Sequence, residues 1–397
     1  MIKAVLLDLD DTLLGNPTQR FVENYIGSLD RFIRERLGVP DISRPLLTGI
    51  RQVVSNLDPT RTNWDVFFET FAPLLPVERA AFDEAVDEFY HTTYLELRAG
   101  TDMRAWARPL VDRLAAQGYQ VVVATNPFFP RVAIEHRMDW AGVGDFSFGW
   151  VTTLENMHFS KPNPQYYEEI LARIGVPASE ALMVGDDWAN DIVPAWRAGL
   201  NTYWVCADDA QGPPDPAVRP DGYGSPDEFA RLVMEDGWLD TLTPRPLAPE
   251  QIVPRLLGTL AALLGVAREV PASCWHQHPA AGEWSPAEVI CHLFATEQVM
   301  QRPRLEMIIR EDDPLLESRP GLLLDTCPSD GWQLALDFAA ERLLTLEFFA
   351  GLDASAWNRP ARHPRLGPTT LLGLADLIAG HDRIHIHQLI QTIQRCV

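Results

Sequence analysis

Residues 1 to 7, MIKAVLL, are apolar apart from Lys3, and two carboxylates one residue apart, Asp8 and Asp10, follow. An apolar run of this length suits a strand buried on both faces, as in a parallel sheet. The pattern then changes to helical spacing over 21 to 38, which stops at Gly38-Val39-Pro40. Further helical segments, LLTGIRQVVSNL, NWDVFFETFAPLL and VERAAFDEAVDEFYHTTY, extend an aromatic-rich insert to about residue 100. Its Trp and Phe residues are expected in a core rather than on a ligand. Next come a helix ended by Gly118, a buried strand over 121 to 126, and a strand, loop and helix over 148 to 175. An apolar strand ending in Gly185-Asp186-Asp187 leads to a helix closing near Gly199, and NTYWVCA supplies one more strand. This alternation predicts an α/β fold with a doubly wound, Rossmann-like parallel sheet.

The stretch 208 to 229 is rich in Pro, Gly and Asp and reads as a long loop before a last helix. LTPRPLAPE, 242 to 250, reads as a short semi-extended linker through its prolines. Beyond it the strand pattern stops. Four helical segments are predicted at about 249 to 267, 285 to 311, 330 to 351 and 368 to 395. Ser285-Pro286 with Glu288 forms a capping-box signature, and Gly367-Pro368-Thr369 opens the fourth segment. The count predicts an all-α four-helix bundle. The expected domains are therefore 1–240, with a core of 1–14 and 101–240 around a helical cap of 15–100, a linker at 241–248, and a bundle at 249–397.

At 397 residues the chain is long for one domain, and its 46% hydrophobic content suffices for packed cores. A net charge of −22 disfavours nucleic acid or an anionic membrane surface as partner. Five scattered cysteines without a CxxC, and a first apolar run broken by Asp8, suggest reduced thiols and a cytoplasmic protein without a signal peptide. No uninterrupted apolar run reaches the roughly 18 residues of a membrane span. Lys3 and Lys161 are the only lysines; every other basic chain is Arg, so each lysine invites a question.

Asp8 and Asp10 leave the first strand on the same side, because strand side chains repeat every second residue. Open α/β sheets bind ligands at the carboxyl ends of their strands. Paired carboxylates there repel unless a cation or shared proton intervenes, which suits a hard divalent metal beside a carboxylate nucleophile. The plainer alternative is an Asp-rich turn. Thr125 ends a second strand, where its hydroxyl can bond a ligand oxygen or simply make a turn. Lys161 enters on a backbone stiffened by Pro162 and Pro164 and can neutralise a phosphoryl charge. Asp186, Asp187 and Asp191 supply further hard oxygen ligands.

DLDDT, Thr125, Lys161 before a Pro-rich helix, and GDDWAND together resemble the haloacid dehalogenase-like hydrolase superfamily over about residues 1 to 235. The resemblance implies a helical cap inserted in a Rossmann-like core, and phosphoryl transfer to water. On it, Asp8 is the nucleophile that forms an aspartyl-phosphate, and Asp10 the general acid and base. Thr125 and Lys161 hold the phosphoryl group. Asp186 binds Mg²⁺ with Asp8 and the backbone carbonyl of Asp10. Asp191 binds the metal or orients Lys161, and Asp187 is a competing ligand. Dehalogenases of the superfamily lack the second Asp, so the motifs favour a phosphatase, with a phosphotransferase as the alternative.

In the second half, His381 and His385 share a helix face, and His292 lies about two turns into another helix. Three imidazoles meeting in a bundle can form an open metal site; a polar surface stripe is the plainer reading of the pair. GEWSPAEVICHL and LLGLADLIAGHDRIHIHQL resemble the DinB/YfiT-like metal-binding four-helix bundles, with the three histidines on the ligand positions. The resemblance implies Zn²⁺, Ni²⁺ or a similar ion, and a homodimer through the bundle.

The expected function is a Mg²⁺-dependent phosphatase of a small phosphorylated metabolite, fused to a divalent-metal bundle. The alternatives are a thiol transferase or hydrolase centred on the bundle, and a metal-binding sensor with an idle second domain.

Overall fold

A computed structural model of the chain describes residues 1–75, 77–207, 210, 212–235, 237–319, 321–323 and 330–396. Asp208, Asp209 and Gln211, part of the expected loop over 208 to 229, and Cys327 lie outside the described residues. The chain divides into two compact units, Met1–Tyr166 with Ala178–Arg245, and Tyr167–Pro177 with Pro246–Val397.

The first unit is built on β1 (Ala4–Leu7), whose residues are all buried. After it come the short ribbon strand β2 (Leu14–Gly15) and helices α1 (Thr18–Leu37), α2 (Ser43–Ser55), α3 (Asn63–Phe71) and α4 (Arg79–His91). α1 ends where Gly38, at φ 67°, takes the left-handed conformation and donates its N–H to the Arg34 carbonyl. Thr62 and Asp65 cap α3 reciprocally. Phe21, Tyr25, Phe89 and Tyr94 from this insert are buried, as expected of core aromatics. The chain returns through β3 (Asp102–Met103), which pairs antiparallel with β2.

It continues through α5 (Ala107–Ala116), β4 (Gln120–Val123), α6 (Arg131–Trp140), β5 (Trp150–Val151), α7 (Pro164–Ile174), β6 (Ala181–Gly185), α8 (Val193–Ala198), β7 (Asn201–Val205), β8 (Gly222–Gly224) and α9 (Pro226–Glu235). The sheet order is β5-β4-β1-β6-β7-β8, with all pairings parallel. The doubly wound parallel sheet is thus as expected. β8 is an addition within the loop region; its short run GYG carries no strand periodicity to detect. Because the chain winds from β1 first toward β4 and later toward β6, the carboxyl ends of these three adjacent strands border one crevice.

The second unit carries most of α7 together with α10 (Ile252–Glu269), α11 (Pro286–Thr296), α12 (Arg302–Arg310), α13 (Gly331–Ala350) and α14 (Leu371–Cys396). The predicted capping box is present: Ser285 accepts from the Glu288 N–H and Glu288 reaches back. The single helix expected over 285 to 311 is interrupted by a π-helical turn at Glu297–Gln301, just before Pro303, which has no N–H to continue the ladder. The expectation that strands stop beyond the linker is corrected. β9 (Pro360–His363) and β10 (Gly367–Thr370) form an antiparallel hairpin. Gly367, at φ 76°, opens β10 rather than a helix, and α14 begins at Leu371.

Among the described residues one helix, Pro249–Glu269, is long and apolar enough to cross a membrane by length and composition, and 72% of its apolar window is buried within the protein. Cys206, Cys274 and Cys396 form no disulfide, whereas Cys291 is disulfide-bonded, which corrects the expectation of reduced thiols throughout.

Candidate active site and metal centre

Asp8 follows β1, Thr125 follows β4 and Asp186 follows β6, so strand adjacency alone places them side by side. All three line one cleft with Asp10, Lys161, Asp187 and Asp191. Lys161 is 2% exposed, and its Nζ donates to Asp8 Oδ1 at 2.7 Å and to Asp191 Oδ1 at 2.5 Å. Oxygens of Asp8, Asp186 and Asp191 lie within 4.8 Å of one another.

Crowding and burial shape the protonation of this cluster. Burial pushes the Asp8 carboxyl well up, opposed by Lys161 and reinforced by Asp191 and Asp186. Asp186 is pushed up to about 7 by burial, Asp191 and Asp11. Burial also raises Asp191, against the pull of Lys161. One ammonium does not balance two buried carboxylates and a half-buried third. An all-oxygen donor set with this surplus of negative charge fits a hard divalent cation.

Two other carboxylates are placed differently. Asp187 is exposed and accepts from the backbone N–H groups of Ala189 and Asn190 at 2.9 and 3.0 Å, so it caps the turn leading into α8. Asp10 lines the cleft, but its carboxylate is held by protein. Asn16 Nδ2 donates to Oδ1 at 2.6 Å, and Arg137 Nη1 donates to Oδ2. Arg137 is fully buried, with its guanidinium 4.2 Å from the Phe129 ring centroid. Sequence reasoning missed both partners. The only trace of Arg137 is its position four residues after Ala133, on the buried face of α6. The Thr125 carbonyl accepts from the Thr152 and Tyr166 hydroxyls at 2.7 and 2.8 Å, which anchors the backbone that presents its side chain.

In the second unit His292, His381 and His385 offer nitrogens within 4.8 Å of one another. His292 Nδ1 lies 2.7 Å from the Leu322 carbonyl, which can only accept, so Nδ1 carries the proton. The neutral ring's bare Nε2 then faces His381 Nε2 at 3.1 Å. His385 Nδ1 likewise meets the Gln388 Oε1 acceptor at 2.8 Å. Outer acceptors that fix the tautomer and leave Nε2 bare are the usual support of metal-ligating imidazoles. Burial first, then neighbouring imidazoles, lowers His385 to about 4, and burial lowers His292, so both stay neutral near pH 7.

Asp382, next to His381, belongs to a buried network from four segments. Arg342 of α13 donates to Asp382, to both oxygens of Glu297 at 2.9 Å, and toward Thr259 of α10. The Asp382 carboxyl is lowered to about 2: burial, the largest influence, raises it, but Arg342 and His381 outweigh that.

An acid-rich cleft at the carboxyl ends of parallel strands, with a buried lysine and a strand-end threonine, defines a hydrolase of the phosphatase type. Residues 2–199 match the family model of haloacid dehalogenase-like hydrolases, and residues 255–389 match that of the DinB superfamily. Each half of the chain thus matches one of these two families, as the motifs indicated. Among curated proteins it resembles the pyrophosphatase PpaX of Bacillus velezensis, 26% identical over 204 residues that cover 51% of this chain and 83% of that protein. PpaX of Bacillus cereus is 26% identical over 201 residues, covering 51% and 82%. Among solved structures, a HAD phosphatase from Thermococcus onnurineus aligns with TM-score 0.39 and 21% identity, covering 59% of this chain and 98% of that one. YfiT of Bacillus subtilis, a four-helix bundle of unusual topology, aligns with TM-score 0.34 and 19% identity, covering 39% and 93%.

Proposed function

We propose that the first domain is a Mg²⁺-dependent phosphatase acting through an aspartyl-phosphate on Asp8, and that the second holds a transition metal on His292, His381 and His385. The observation that carries the first reading is Lys161 bridging Asp8 and Asp191 beside Asp186. Asp8, Asp186 and Asp191 would hold Mg²⁺, which when bound screens the phosphoryl oxygens from the carboxylates.

In the proposed reaction an Asp8 oxygen attacks phosphorus and the bond to the leaving oxygen breaks. Asp10, entering the step protonated, gives that oxygen its proton; the resulting carboxylate, held by Asn16 and Arg137, then takes one from the water that hydrolyses the acyl phosphate. Thr125 and Lys161 hold the phosphoryl group, and Asp191 orients Lys161.

The substrate reading is a small phosphate monoester with an apolar leaving group. Phe128 lines both the catalytic cleft and an adjoining cavity of about 350 Å³ walled by Leu46, Trp64, Phe67, Phe82 and other apolar chains. The charged residues lining that cavity are Asp83, Asp87 and Glu155, which repel an anionic leaving group. Pyrophosphate is the second reading, favoured by the named activity of the relatives.

Hydrolysis of an aryl phosphate and of pyrophosphate, with and without Mg²⁺, tests this in wild type and in Asp8→Asn. Metal-dependent turnover abolished in the variant is expected. Turnover surviving in Asp8→Asn, or absent from wild type on every ester supplied, refutes the reading. The second domain's metal is read separately, by elemental analysis.

A further inference from the structure

The three histidines line a cavity of about 330 Å³ together with Arg304, Arg319, His363 and Arg365. No acidic side chain lines it among the described residues, although the chain as a whole carries a charge of −22. Arg304 is buried, whereas Arg365 and Arg319, the latter paired with Glu317, are exposed. Their mutual influence is visible at His363, whose ring is held below its usual range by burial, Arg304 and Arg365.

Arg304 is the pivotal group. It is only 6% exposed. Its Nη2 donates to the Glu317 backbone carbonyl, and its Nη1 reaches Gln301 Oε1 at 3.4 Å. Its Nε is buried without a hydrogen-bond partner. A buried N–H without an acceptor is uncommon, and it leaves this guanidinium short of acceptors. The Glu317 carboxylate pairs with Arg319, at 2.8 Å, rather than with Arg304.

We propose that this cavity binds an oxyanion, the carboxylate or phosphate of a small ligand, through Arg304 and Arg365, beside the histidine triad. A planar guanidinium suits both anions, since it offers paired donors at a fixed spacing. The site rests on the arginines of the second unit and does not depend on the phosphatase reading of the first. It assigns that domain a ligand with an anionic end.

Isothermal titration of the full chain with succinate, inorganic phosphate and neutral succinamide tests it. Phosphate also has a home in the Asp8 cleft, so the readout is the difference between wild type and the arginine variants, which leave that cleft intact. Binding of succinate, phosphate or both is expected, weakened about tenfold to a hundredfold in Arg304→Gln and about tenfold in Arg365→Gln. Succinamide is expected not to bind. Arg365 is exposed, so Arg365→Gln keeps the fold even if Arg304→Gln loosens the Glu317 segment. Succinate identifies a carboxylate ligand and phosphate a phosphoryl one. Anion affinities equal in wild type and both variants, or no anion binding at all, overturn the proposal.

Discussion

Replacing Arg137 by Met keeps most of the side-chain volume and removes the charge that holds Asp10. In the native protein the guanidinium donates to Asp10 Oδ2, bonds the Ala133 carbonyl through Nε at 3.3 Å, and lies over Phe129. Breaking a buried ion pair costs about 3–5 kcal/mol, because the remaining charge loses its partner. The lower end applies here, since Asp10 keeps the Asn16 amide at 2.6 Å and its side chain is 11% exposed. For the proposed reaction the larger effect is orientation. A misplacement of about 1 Å costs roughly a hundredfold in rate, within the range of about 10²–10⁴ that a positioned acid–base group contributes. Thr125 and Lys161 are not touched by the change. The expected outcome on an aryl phosphate is therefore a kcat about a hundredfold lower with KM within about threefold. Arg137→Lys, which restores the charge without the fork, should recover part of kcat. Steady-state kinetics, beside a thermal melt of each variant, decides the matter. A folded Arg137→Met with kcat within threefold of wild type would show that Arg137 only packs.

Three other outcomes follow from the geometry. His381→Ala or His385→Ala should remove about one equivalent of transition metal per chain while leaving aryl phosphate turnover within about twofold; unchanged metal content would rule out the triad. Arg342→Met strands Glu297 and Asp382, which are 1% and 4% exposed, and should destabilise the bundle by about 3–5 kcal/mol in urea titration; an unchanged transition would contradict the network. Asp186, raised to about 7, is a carboxyl whose folded pKa exceeds its unfolded one. Metal-free stability from this group is thus full below the ordinary carboxyl range and lost as pH rises through about 7. Mg²⁺ needs the ionised form, so its stabilising effect in a melt should grow over the same interval, and a Mg²⁺ effect independent of pH between about 5 and 8 would refute this.

Some features were legible because they obey local periodicity. The parallel sheet followed from wholly apolar runs alternating with helical segments, and the capping box at Ser285 and Glu288 formed as its spacing required. Other features were hidden for the same reason. The π turn before Pro303 interrupts a pattern that reads as one helix, and the hairpin of Pro360–His363 with Gly367–Thr370 pairs segments too short to show alternation.

The sequence by itself determined the two families, the sheet, and which residue types stand at the ends of which strands. Motif spacing and apolar periodicity are local properties of the chain, and each is written within a few residues. Only the tertiary structure decided what each carboxylate does. It set Asp8, Asp186 and Asp191 together, gave Asp187 to a helix cap, and handed Asp10 to Asn16 and to Arg137, 127 residues away. It likewise turned Nε2 of His292 toward Nε2 of His381 and gathered Arg304 and Arg365 around one cavity. Those outcomes depend on burial and on partners distant in the chain, and no local pattern encodes either.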